Sequence, residues 1–252
     1  MTNSEINQKL QQLYAENTTA LLSCWGKHYS VPEADYPCRI NEFGIIDTER
    51  FDKEKRILVI GKETNGWSNE DYKNNDMFIP WMTKITRKES NCLAGQEGKI
   101  RKNPQTWYNI GRWIMALCGS EIEKIQKAKD EAFHALGTAA FTNINKVRGG
   151  SVSGKSYREL SKEPQVVDVL IKEIEIIKPK HIILCDKTFV GILLSAYADK
   201  KYADCTVLKD CISNNTFYVM PHPASRKSTV KLLEELFKSQ TIAMQSNYLA
   251  KK

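Results

Sequence analysis

Residues 216–226 read TFYVMPHPASR, and the fold of the whole chain turns on how this stretch is read. Phe217, Tyr218, Val219 and Met220 are strand formers that run straight into Pro221, His222 and Pro223. A proline has no N–H for a ladder and moves the residue before it out of the helical region. His222 is therefore set in an extended loop just past a strand end. Ser225, Arg226 and Lys227 follow, then an amphipathic run with Val230, Leu232, Leu233, Leu236 and Phe237. Strand, stiffened loop with a His, then helix is a sequence that places chemistry at a strand's carboxyl end in an open α/β sheet. The plainer alternative is a loop whose His only satisfies a backbone group.

Three more short apolar runs have the same character: RILVIG at 56–61, AAFTN at 139–143 and HIILC at 181–185. Continuous runs of this length fit strands buried on both faces. Helical periodicity separates them. It is present over 4–24 with Ser4 as N-cap, and over 107–117 before Gly119. It recurs over 120–136 with Ser120 and Glu123 as a capping box, over 166–177 and over about 187–198. Residues 206–208 read as a minor strand, 26–50 as irregular and 146–150 as a basic loop. Residues 62–103 are polar with little periodicity, broken by Phe78, Pro80 and Trp81; a segment this long is more often functional than idle. Strands alternating with helices predict a parallel sheet covered on both faces. The expected architecture is one α/β domain at 51–252 with a central, mainly parallel four-stranded sheet, and residues 1–50 as a helical extension packed on it.

A chain of 252 residues with 41% hydrophobic content can build a substantial core. Lys and Arg number 37 against 30 Asp and Glu, a net charge of +7 that suits a polyanionic partner without requiring one. The seven cysteines (24, 38, 92, 118, 185, 205 and 211) form no Cys-x-x-Cys pair, so no zinc or iron–sulfur site is expected. Their odd number, and the absence of a secretory signal or a long apolar run, predict reduced thiols in a cytoplasmic protein with no membrane span.

In a parallel sheet the loops after the strands meet at one edge. Four loops then converge, at 61–67, 143–150, 185–187 and 221–227. They bring one carboxylate, Glu63; the amides Asn65, Asn143 and Asn145; His222; and the cations Lys62, Lys146, Arg148, Arg226 and Lys227. No Gly-x-Ser-x-Gly turn is present, and GKETNG at 61–66 is followed by Trp67 instead of the Lys of a phosphate-cradling loop. Carboxylate, amide, His and a basic rim suit hydrolysis of a bond near a phosphate backbone.

These loops resemble those of the uracil-DNA glycosylase superfamily. Its first motif is a strand ending in Gly and a loop with a water-positioning acid or Asn. ILVIGKETNG at 57–66 is similar, with Glu63 where the uracil-specific branch has Asp. TNINKVR at 142–148 resembles the Asn-x-x-Lys-x-Arg form of the iron–sulfur branch, and IKPKHIIL at 177–184 the Lys-Pro and strand before the third loop. VMPHPAS at 219–225 resembles the closing His-Pro-Ser loop. The likeness covers about 55–240 and leaves the first 50 residues unmatched. The iron–sulfur cysteines are missing, the usual Pro after the acid is Thr64, and Asp186 stands where relatives commonly have Gly. Arg226 and Lys227 lie near the place of the apolar wedge that fills the emptied base stack. Asn65 and Gly66 occupy the place of a Tyr that blocks 5-substituted pyrimidines.

The resemblance implies a uracil-DNA glycosylase-like fold and a monofunctional DNA glycosylase, without cofactor or metal and acting as a monomer. It would flip a pyrimidine from single- or double-stranded DNA and hydrolyse its glycosidic bond. The base would be uracil, as in repair, or a bulky 5-modified pyrimidine, as in defence against phage. His222 and Glu63 would be catalytic, the first holding the departing base's oxyanion and the second the water. Asn143, Phe78, Gly61 and Asn65 would line the base, with Asn145 competing for the amide role and Trp81 for stacking. Lys146, Arg148, Ser225, Arg226 and Lys227 would meet the DNA. The alternative is an inactive module of the same fold that only binds nucleic acid or a nucleotide.

Overall fold

The computed structural model describes residues 1–62, 78–87, 104–149, 154–185, 191–193 and 216–223. It adds the backbone at 64–65 and the single positions 207, 210, 211, 214, 231, 233, 234 and 236.

Helix α1, Asn3–Tyr29, buries Ile6, Leu10, Leu13, Tyr14, Leu21, Leu22 and Trp25 along one face. It is capped by Thr2, not Ser4. The Thr2 hydroxyl accepts from the Glu5 amide at 3.2 Å and the Glu5 carboxylate accepts from the Thr2 amide at 2.6 Å. Thr2 and Glu5 have the spacing that satisfies both orphan donors at once, which Ser4 lacks.

The central sheet has the order β1-β4-β2-β6-β7. Its strands are β1 (Gly44–Ile45), β2 (Ile57–Gly61), β4 (Ala140–Asn143), β6 (His181–Leu184) and β7 (Phe217–Val219). The last four are mutually parallel, as the apolar runs predict. The irregular reading of 26–50 misses β1, which runs antiparallel to β4 and makes the sheet mixed. Two residues carry too little pattern to be read as a strand. The basic loop at 146–150 also contains a strand, because the parallel pairing continues past the main strand ends. The Ile144 amide donates to Gly61 O at 3.1 Å and the Asn145 amide to Lys62 O at 2.9 Å. Strands β3 (Thr64–Asn65) and β5 (Arg148–Gly149) then form a small parallel sheet.

Further helices among the described residues include α2 (Phe78–Thr86), α3 (Pro104–Leu117), α4 (Ile122–Lys127), α5 (Asp130–Leu136), α6 (Lys155–Leu160) and α7 (Pro164–Ile177). The expected 120–136 helix is therefore two, and its capping box does not form. Ser120 instead closes α3: its amide reaches Met115 O, the Gly119 amide reaches Ala116 O, and Gly119 takes φ +85°. Those bonds are a left-handed helix stop, and they use the residue that would have capped the next helix. The break at Ala128 is held by Arg112, whose guanidinium donates to Ala128 O at 3.0 and 3.2 Å. Helix α3 lies close on α5 because residue 111 is Gly; a Cβ there would sit 1.9 Å from Ala132 O. Val207, Asp210 and Cys211 are helical, so the minor strand at 206–208 is corrected, while Thr206 and Leu208 lie outside the described residues. A β-branched residue such as Val207 enters a helix when packing rewards it, and it packs on the core here.

One core runs from Ile6 to Leu236 and includes α1 and Ile40, Phe43, Ile45, Ile46 and Phe51. Each Leu or Ile enclosed in it stabilises the fold by about 1.5–3 kcal/mol. No helix among the described residues is long and apolar enough to cross a membrane.

Candidate functional site

The chain steps from β2 to β4 on one side and then to β6 on the other, so the strand order reverses at β2. Crevices outside the carboxyl ends at such a reversal are where open α/β sheets bind ligands. Register pairs Gly61 with Asn143, Ile60 with Leu184 and Leu184 with Val219, which brings four strand ends to one edge.

Gly61 and Asn143 are closely juxtaposed. A Cβ on Gly61 would lie 2.2 Å from Asn143 Oδ1 and 3.1 Å from Phe141 Cζ, so the carboxamide lies against the bare glycine. Asn143 is 6% exposed. Asn145, its competitor, turns into the loop. Its Oδ1 accepts from the Val147 amide at 2.9 Å, and its Nδ2 donates to the Tyr29 hydroxyl at 3.4 Å.

Lys146 does not reach the surface, which corrects its expected contact with phosphate. It is 3% exposed, and its ammonium donates to Glu173 Oε2 at 2.7 Å, to the Thr142 hydroxyl and to the Asn143 carbonyl. Burial pushes its pKa down, and the Glu173 carboxylate partly opposes this. Arg148 is half-buried, with its guanidinium 5.7 Å from the Trp25 ring and its carbonyl accepting from Trp25 Nε1 at 2.8 Å. Trp25 in turn stacks on Tyr29 at 5.8 Å. The end of α1 thus supports the one expected DNA cation that the described residues leave partly open to solvent.

Phe78 is 4% exposed and lies inside an aromatic cluster, not on its surface. Its ring centroid is 5.0 Å from Phe141, 5.1 Å from Phe43, 5.8 Å from Trp107 and 6.4 Å from Trp81. The inward face of α2 carries it there. Trp81 and Trp107 are half-buried at the rim, and Phe141 joins the cluster to Gly61.

His222 is exposed beyond β7, between half-buried Pro221 and buried Pro223. The Pro223 carbonyl accepts from Asn109 Nδ2 at 2.6 Å, and Asn109 Oδ1 accepts from Gln105 Nε2 at 2.9 Å. Helix α3 therefore anchors the His222 loop. Asn65 is described only through its backbone, paired with Gly149. Glu63, Ser225, Arg226 and Lys227 lie outside the described residues.

Sequence reasoning missed Asn109, Trp25, Tyr29 and Glu173. The last had a signal, since Glu173 interrupts the apolar face made by Val166, Leu170, Ile174 and Ile177. A carboxylate at a buried helical position calls for a partner. Comparison with protein-family models, curated proteins and solved structures gives no significant match.

Proposed function

We propose that this protein is a DNA N-glycosylase that binds an extruded pyrimidine at the carboxyl edge of the sheet and hydrolyses its glycosidic bond. The observation that carries the reading is the carboxamide of Asn143 lying against Gly61, on the edge where the His222 loop emerges. A carboxamide offers a donor and an acceptor together, which matches the edge of a pyrimidine. Phe141 lies against the same Gly61 and is packed on half-buried Trp107, so an aromatic cluster that also holds Trp81 adjoins that edge.

In this reading His222 donates to the oxygen of the departing base as negative charge grows there. A neutral imidazole suffices, and a donor already in place need not reorient during reaction. Glu63 holds the attacking water and faces the cationic sugar. The bond from the sugar carbon to the base nitrogen breaks, the water oxygen takes its place, and a proton goes to the base. Arg148, stacked on Trp25, meets a phosphate; the net charge of +7 favours the approach.

The test is base release in the presence of a chelator from two DNAs, one with uracil and one with hydroxymethylated or glucosylated cytosine. Alkali then breaks the abasic sites. We expect strand breaks in one of the two, and a loss of roughly 10²–10³ in rate for His222→Ala, the size seen when one preorganised donor is removed. DNA retained by the parent and by His222→Ala alike, with no abasic sites from either, would instead make the chain a binding module.

A further inference from the structure

The Lys146–Glu173 pair has no place in the chemistry above, yet it sits directly behind the strand end that carries it. We propose that this pair is a positioning device that fixes Asn143, and that Lys146 acts on a ligand only through Asn143. The inference rests on the reading of Asn143 as the base-binding amide.

An ammonium has three N–H donors. Those of Lys146 have three acceptors, Glu173 Oε2, the Thr142 hydroxyl and the Asn143 carbonyl, and two of these belong to the last two residues of β4. Glu173, 0% exposed, is tied in turn. Its Oε1 accepts from the Tyr14 hydroxyl of α1 and from the Thr142 hydroxyl at 3.0 Å. The faces of Phe43 and Tyr14 flank the ammonium at 5.3 and 5.8 Å. Two helices, α1 and α7, are thereby joined through one ion pair to the strand end.

Burying such a pair is costly, and apolar replacements are often as stable, so stability alone is a poor explanation for it. What the pair holds is specific. The 2.2 Å that separates Asn143 Oδ1 from a Cβ position on Gly61 leaves the carboxamide little room, so its place follows the backbone it hangs from. Lys146 grips that backbone at its carbonyl.

The test is the double variant Lys146→Met/Glu173→Gln. It is neutral, nearly equal in volume, and keeps an acceptor for Tyr14 and Thr142 while removing the ammonium from Asn143. We expect a melting temperature within about 5 °C of the parent. In the ligand-free protein, labelled at asparagine with ¹⁵N, N–H exchange at Asn143 should rise about tenfold while Asn7, bonded to Ile45, and Asn109 stay unchanged. Base release should slow about tenfold at unaltered salt dependence of DNA binding, because no phosphate contact has been lost. An equal rise at all three asparagines, or none at Asn143, overturns the proposal. If the parent releases no base, the glycosylase reading fails and the exchange measurement still decides the positioning role. If the double variant does not fold, Tyr14→Phe removes one hydroxyl from the far end of the network. There we expect about a threefold rise at Asn143, and an unchanged rate overturns the proposal.

Discussion

A single hydrogen atom decides the geometry at residue 61. Any side chain there would meet Asn143 Oδ1 at 2.2 Å and Phe141 Cζ at 3.1 Å, and the second of these belongs to a ring packed on Phe78 and Trp107. The carboxamide is the group able to move, since it turns about two side-chain bonds while the aromatic cluster is interlocked. Gly61→Ala is therefore expected to fold, with a far-UV spectrum like the parent's. On the proposed glycosylase reading it should lose about tenfold or more in base release because the amide is rotated from its place. A variant of unchanged rate would mean that the contact between Gly61 and Asn143 is packing only. The same scale explains why the His222 loop could be read early and its support could not. Proline fixes the residues beside it locally, whereas Asn109 lies 114 positions away from Pro223 and announces nothing in its own neighbourhood.

Helix α3 links the His222 loop to the rest of the fold by the bond from Asn109 to the Pro223 carbonyl, with Asn109 only 1% exposed. Asn109→Leu leaves that carbonyl without this donor, which should cost about 1–3 kcal/mol in urea unfolding. It should also speed cleavage of the 221–227 segment by a protease at concentrations where α1 and the core strands remain intact. Equal cleavage rates in parent and variant would detach α3 from the loop. The elements themselves were legible in proportion to their period and burial. The four parallel strands are short, largely apolar and buried, and α1 and α7 show their buried faces plainly in the sequence. Strands β1, β3 and β5, two residues each, were not legible, because their existence depends on a partner that the local sequence does not contain. Gly61, Asn143 and His222 lie at the sheet edge that strand ends and prolines predict for them. Lys146 was misread because its charge suggested solvent, and only Glu173, 27 residues on, turns that charge inward. Phe78 was misplaced for a related reason: periodicity says that a ring is near the core, not which face of it remains open.

The first 50 residues are joined to the rest of the molecule at a corner made of charges as well as by apolar packing. Asp47, 0% exposed, accepts from Arg87 Nε at 2.7 Å and Nη2 at 2.6 Å, and its Oδ1 also accepts from the Glu49 amide at 3.1 Å. Arg50 donates to Thr86 O at 3.0 Å and to His134 O, so the segment that follows β1 is bound to both α2 and α5. The bonds from Arg87 hold the Asp47 carboxyl below the usual carboxylate range, although its burial works in the opposite direction. A carboxyl with a lowered folded pKa binds its proton more weakly in the folded chain than in the unfolded one. Its stabilisation is therefore complete above the unfolded value of about 3.9 and is lost as the pH falls through the lower folded value. Asp47→Asn keeps the outline, removes the charge and leaves one acceptor oxygen where Arg87 now has two. At pH 7 it should cost about 1–3 kcal/mol, less than a fully enclosed pair would, because Arg87 retains Glu49 at 2.9 Å and partial contact with water. Below about pH 4 the parent begins to lose this contribution, so the unfolding curves of parent and variant should draw together as the pH falls further. Urea titrations at pH 7, 5 and 3 read this directly. A gap of constant size from pH 7 to pH 3 would show that the cost comes from the acceptor oxygen that Asn lacks and not from the charge of Asp47.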